Sequence, residues 1–306
     1  MGMNIHCPNL NCVSTKSSSP SSFQVVRLGY YFRRSDSRKI RRYKCAHCNR
    51  SFSKAGQNLK RYQKRRRITP LLRSLLCSSV SQRRSARILA VDRKTVARHL
   101  QILAQEARLK QAQFLANFST DRLLNIQFDD LETSEHTKCK PLSVALAVEP
   151  KTRKILSYQV SQMPAKGHLA KISFKKYGPR PDERAKGWDA LFLELKTISH
   201  PNVCLTSDEN PHYPKHLKRH HPKATHIKVP GGRGAITGQG ELKKKRFDPI
   251  FSLNHTCAML RANMNRLVRR TWCTTKNQTG LLNHLALYVQ YHNEVLTAPY
   301  TFKGAS

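Results

Sequence analysis

"LLNIQFDDLET", residues 123–133, places two aspartates and a glutamate at the end of an alternating apolar run. Leu124, Ile126 and Phe128 alternate with Asn125 and Gln127, the period of two expected of a strand with one buried face. The chain around this strand carries 56 Lys+Arg against 18 Asp+Glu, a formal net charge of +38. Acids that scarce, gathered at a strand end, are either solvated or placed to hold something positive. "NVCLTSDEN", residues 202–210, repeats the arrangement: an apolar run from Val203 to Leu205, then Asp208. Hard divalent cations take oxygen ligands, and Mg²⁺ commonly uses one or two carboxylates together with phosphate oxygens. Two strand-end aspartates in a basic chain therefore point to a cation held against a phosphate backbone.

Working outward, strands are expected at 124–130, 142–149, 155–162, 202–207 and 225–229, with "EPKTRK" turning the second into the third as a hairpin. A helix fits Arg184–Thr197, with Trp188, Leu191 and Leu195 on one side. A longer helix fits Phe251–Arg270, where Leu253, Cys257, Leu260, Met264 and Leu267 form an apolar stripe read as core. Strands and helices mixed in this way predict an α/β domain with a mixed sheet over residues 119–306.

Charge decides the partner class. Basic residues spread along the whole chain are the footprint of a polyanion binder, and double-stranded DNA is the expected partner. The longest apolar run, around Leu142–Val148, is too short to span a bilayer. "MGMNIHCPNL" resembles no signal peptide, and His6 breaks the myristoylation pattern, so the expected location is cytoplasmic and nucleoid-associated, with no membrane. In a reducing compartment nine cysteines are thiols or metal ligands rather than disulfides.

Four of them fall in two close pairs, Cys7/Cys12 and Cys45/Cys48, the pattern of a zinc ribbon over residues 1–60 holding one structural Zn²⁺. The insert between the pairs ("SSSPSS", "RRSDSRKIRR") is read as loops touching phosphate. Residues 61–118 are read as a helix-turn-helix and a helical linker. Ala86 and Leu89 face inward from the first helix, and Ala90–Asp92 make the turn, with Asp92 as N-cap. Val96 and Leu100 face inward from the second, while Arg93, Lys94, Arg98 and His99 point outward to DNA. Gln101–Gln113 follows as the linker.

Together the ribbon, the helix-turn-helix, "FDD", "SDEN" and "LNHTCAMLRANMNRLVRRTW" resemble the bacterial insertion-sequence transposases of the DDE superfamily, over nearly the whole chain. The resemblance implies a ribonuclease H-like catalytic domain that cuts and joins DNA with two Mg²⁺ or Mn²⁺ ions, and a homo-oligomer assembled on element ends and target. Asp129 matches the first acid and Asp208 the second; Asp130 is the neighbour onto which the first could slip. The third position, ordinarily Glu, is Asn254, with Arg261 seven residues on along the same helical face. His255 and Glu241, the latter within "GGRGAITGQGELKKKR", are rivals for that place. The alternative from another class is a non-catalytic DNA-binding regulator with a decayed nuclease-like domain. Lys243, Lys244, Lys245 and Arg246 are read as a phosphate-contacting loop, and His212, His216 and His220 as a polar helix near DNA. Cys139, Cys204, Cys257 and Cys273 are read as packing residues.

Overall fold

The computed structural model describes residues 5, 7–9, 11–13, 25–34, 37–53, 65–119, 122–230, 248–268 and 271–298. Glu241 and Lys243–Arg246 lie outside them. The chain divides into two compact units, Met1–Pro70 and Leu71–Ser306.

In the first unit, β1 (Val25–Arg33), β2 (Arg38–Cys45) and β3 (Ser51–Ser53) form an antiparallel sheet of order β1-β2-β3. "RRSDSRKIRR" is therefore mainly a hairpin rather than a loop: Arg33 pairs with Arg38 across its turn. Its arginines hid the strand because seven consecutive β1 residues, Val26–Phe32, are exposed, leaving no alternation in burial. Among the described residues, the buried heart of this unit is Cys7, Cys12 and Cys45, with Cys48 and Phe52 packed beside them.

In the second unit, α1 (Thr69–Leu76), α2 (Gln82–Ile88) and α3 (Arg93–Ala116) precede a five-stranded sheet. Its strands are β4 (Leu123–Ser134), β5 (Pro141–Val148), β6 (Ile155–Gln162), β7 (Ser199–Ser207) and β8 (Thr225–Lys228), in the order β6-β5-β4-β7-β8. β5 runs antiparallel to both its neighbours, while β4, β7 and β8 are mutually parallel. The mixed sheet is as expected.

Helices cover both faces of the sheet, so β5 is buried along nearly its whole length, as its unbroken apolar sequence requires. α4 (Leu169–Tyr177) precedes α5 (Arg184–Lys196) and α6 (Tyr213–His220) in the chain, and the latter two lie on one face. There Phe128 of β4 meets Phe192 and Tyr213 edge to face at centroid distances of 5.1 and 5.0 Å. Each such pair adds about 0.5–1.5 kcal/mol beyond its area burial, which fixes β4 at the residue before Asp129. Gly187 lets α5 approach this closely, since a Cβ there would run into the Ser161 hydroxyl. On the other face are α7 (Phe251–Asn263) and α8 (Gln278–Tyr291), the latter continued by a π-helical turn, His292–Leu296. Buried Gln127 of β4 clasps the start of α7, donating to the Pro249 carbonyl (2.9 Å) and accepting from the Leu253 amide (3.1 Å).

The helix expected to reach Arg270 stops at Asn263, and Met264 is extended (φ −116°, ψ 102°). The Asn263 amide donates to the Met259 carbonyl (2.9 Å) and the Tyr288 hydroxyl (3.2 Å), a tertiary anchor at the helix end. Met264 and Leu267 stay buried without being helical.

α1, α2 and α3 share their core with the sheet unit: Leu72, Leu76, Leu100 and Leu103 pack with Leu281, Leu285 and Tyr288 of α8. Ala104, Ala107 and Ala286 form a small-residue contact between α3 and α8. Asp92 caps α3 as expected, accepting from the Lys94 amide at 2.6 Å. The second helix and the linker are one continuous helix of 24 residues. Arg93, Lys94 and Arg98 are exposed, but His99 is buried and so is not an outward DNA contact. It lies three residues after Val96 and four before Leu103, inside the buried stripe. No described helix is long and apolar enough to cross a membrane.

Candidate functional site

In the first unit Cys7, Cys12, Cys45 and Cys48 bring their sulfurs within 4.8 Å of one another, close enough to bind a metal such as zinc. The Cys7–Cys48 and Cys12–Cys45 separations are 3.5 and 3.7 Å. Four sulfurs about 2.3 Å from one tetrahedral centre stand about 3.8 Å apart, so the donor set fits Zn²⁺. Asn49, with φ 55°, closes the second knuckle by donating to the Cys45 carbonyl at 3.0 Å. Burial pushes the Cys7 thiol up to about 12, so a cation would have to displace that proton.

In the second unit the sheet register sets the geometry. Ile126 pairs with Leu205 and Gln127 with Thr206, so the same offset, carried one residue past the end of β7, sets Asp208 level with Asp129. Burial first, and Asp208's charge second, push the Asp129 carboxyl up to about 7. The two acids singled out in the sequence are thus brought together, but Asp129 lies inside β4, five residues before its end at Ser134, rather than at a strand end. Asp129 Oδ1 accepts from the Asp130 amide at 2.7 Å, and Asp208 Oδ1 from the Asn210 amide at 3.1 Å.

Asp130 belongs to the opposite face. The Trp188 indole N–H donates to both its oxygens, at 3.1 and 2.9 Å. Burial raises its pKa, and the Trp188 hydrogen bond partly offsets that rise. Buried Tyr213 donates its hydroxyl to Asp129 Oδ1 at 3.3 Å. Burial and the charges of Asp130, Asp129 and Asp208 drive its pKa far up, so it remains a hydroxyl donor. Sequence reasoning missed both roles. Trp188 registered only as an apolar helix position; for Tyr213 the available hint was Pro214, which marks a helix start soon after Asp208.

α7 meets the pair from the other side. Asn254 is exposed and its amide donates to Asp248 Oδ2 at 2.9 Å. One turn later Cys257 comes within electrostatic reach of Asp129, and burial together with that charge pushes its thiol up to about 12. At neutral pH it is therefore a thiol rather than a thiolate. His255 tilts its ring against Phe251 and lies in electrostatic reach of His292. Arg261 lines a groove that also contains Asp130 and Glu132.

No protein-family model and no curated protein matches the chain.

Among the described residues the four cysteines are the one cluster of three or more His, Cys, Asp or Glu groups spaced for a metal. The two aspartates are therefore a pair, with no third charged ligand of those types among the described residues. His216 is buried, and with His220 and Arg219 it binds Asp189 of α5 at 2.8, 3.0 and 2.9 Å. That carboxylate, whose burial is outweighed by the His216 and His220 hydrogen bonds so that its pKa is lowered, ties α6 to α5 and gives His216 and His220 a structural role. Cys139 is buried as expected, whereas Cys273 is exposed and does not pack.

Proposed function

We propose that this chain is a DNA transposase with a ribonuclease H-like catalytic domain, hydrolysing the phosphodiester at element ends and joining the freed 3′-hydroxyl to a target phosphate, from which the target's own 3′-oxygen leaves. The observation that carries the reading is the Asp129/Asp208 pair, one acid on β4 and the other just past the end of the parallel β7, within a chain of net charge +38. Bound divalent cations would supply Lewis-acid stabilisation of charge on the phosphate oxygens. Asp129 and Asp208 would hold them, with the Asn254 amide oxygen as a neutral ligand. Tyr213 fixes the Asp129 rotamer, and Trp188 keeps Asp130 turned to the other face. The ribbon would take Zn²⁺, and Arg93, Lys94 and Arg98 would place α3 against the terminal repeats.

A second reading, a DNA-binding regulator without catalysis, draws on Asn254, whose amide is engaged by Asp248. The test uses duplexes spanning the junctions between the gene-bearing segment and its flanking DNA, incubated with Mg²⁺ or Mn²⁺. The transposase reading expects a nick leaving a 3′-hydroxyl at the junction. Asn254→Ala should slow it roughly ten-fold, and Asn254→Glu should lower the Mg²⁺ needed, because a charged oxygen replaces a neutral one. Tight binding with no cut in either metal would leave the regulator standing.

A further inference from the structure

Beyond the carboxylate pair runs a groove of about 1040 Å³ between the end of β4 and the segment that follows α7. Its wall carries five cations, Lys138, Lys166, Arg261, Arg266 and Lys276, against the carboxylates of Asp130 and Glu132. Lys166 already neutralises Glu132 at 2.8 Å. Arg266 differs from the others. It is largely desolvated, its pKa brought down to about 10 by burial, yet it stays protonated at neutral pH. Its Nε has no hydrogen-bond partner and its guanidinium no ion pair among the described residues. A desolvated cation without a counter-charge is costly unless an anion completes it.

On the same groove stands Trp272, fully exposed at 100%. An indole left wholly in water discards one of the largest hydrophobic gains a side chain offers. The loop that presents it is anchored: buried Thr275 bridges to Glu135, and the His136 amide donates to the Thr275 carbonyl at 2.6 Å. The Cys273 amide also donates to Thr271 Oγ1 at 2.9 Å, closing the turn around Trp272.

We propose that this groove binds an unpaired nucleotide of a DNA strand, with its phosphate on Arg266 and its base stacked on Trp272. The proposal rests on the DNA reading above and adds strand state to it. A cationic channel with an exposed aromatic platform recognises single-stranded or locally opened DNA without sequence preference, because every base has a π-face. The groove is lined by Asp130, the chain neighbour of Asp129, so the opened segment would lie near the bond to be cut.

The test is binding of the full chain to a short single-stranded oligonucleotide carrying 2-aminopurine, compared with the fully paired duplex of the same sequence. Stacking on Trp272 should quench the 2-aminopurine emission, and Trp272→Ala should abolish the quench and weaken single-strand binding roughly ten-fold. Trp272→Phe should keep most of both, and duplex affinity should change less than about two-fold. Arg266→Gln should reduce the salt slope of single-strand binding by about 0.7, the share of one phosphate contact. Equal losses on both DNAs, or no loss on either, would overturn the proposal while leaving the DNA reading intact. A Trp272→Ala chain that turns from dimer to monomer with unchanged oligonucleotide binding would overturn it in favour of self-association. Failure of the wild type to bind either DNA would remove both readings.

Discussion

Replacing Asp208 by asparagine is expected to reduce strand cleavage by about 10³-fold, the scale on which a positioned electrostatic group acts at a reacting phosphate. Asp129→Asn should do the same. Neither change should move DNA affinity more than about two-fold, because that affinity comes from lysines and arginines spread over the chain. The two variants are distinguishable by a third property. Asp208→Asn removes one of the charges that push Asp129 up to about 7, so the remaining carboxyl should titrate lower. Asp130→Asn should be far milder for cleavage, since that side chain is held on the opposite face by Trp188. Parallel gel-shift and cleavage assays separate these outcomes. Full cleavage by Asp208→Asn would remove the pair from the mechanism.

The second large effect concerns the first unit. Metal analysis of the full chain should find about one zinc per chain, and Cys45→Ser should lose it. Structural zinc contributes on the order of 10–16 kcal/mol in small modules, and among its described residues this unit has little else in its core than Cys7, Cys12, Cys45, Cys48 and Phe52. Chelation should therefore open residues 25–53 to proteases that cut after Lys and Arg. The sheet unit has its own apolar core and should resist under the same conditions. Digestion of both units at equal rates after chelation would contradict this division.

The strands of the sheet unit were legible because local pattern and tertiary burial agree there. β6 runs over Ile155–Gln162 as read, and β4 and β7 extend the reads at 124–130 and 202–207 by a few residues. Asp129 and Asp208 were legible because acids are rare in this chain. What failed did so for non-local reasons. The end of α7 is set by the Asn263 contact with Tyr288, 25 residues away. The Trp188–Asp130 and Tyr213–Asp129 hydrogen bonds join residues 58 and 84 positions apart. His99 looked like a surface cation beside Arg98, yet one position turns a helix by about 100°, and that carried it into the core. β1 gave no signal because a sheet exposed on both faces has no hydrophobic period to read.

Calorimetric titration of Mn²⁺ into the zinc-loaded full chain at pH 8 and pH 6 tests the central claim most directly. Asp129 sits near neutrality because burial and Asp208 oppose its charge, so its proton competes with the cation. Its raised pKa favours the folded apo chain at low pH, and that stability is lost as pH rises from about 4 to about 7, where a cation becomes the stabilising partner. The account predicts binding at pH 8 that weakens by about ten-fold or more at pH 6, where it releases close to one proton from Asp129, and that disappears in Asp208→Asn. Mn²⁺ binding of equal strength at both pH values, unchanged in Asp208→Asn, would contradict it.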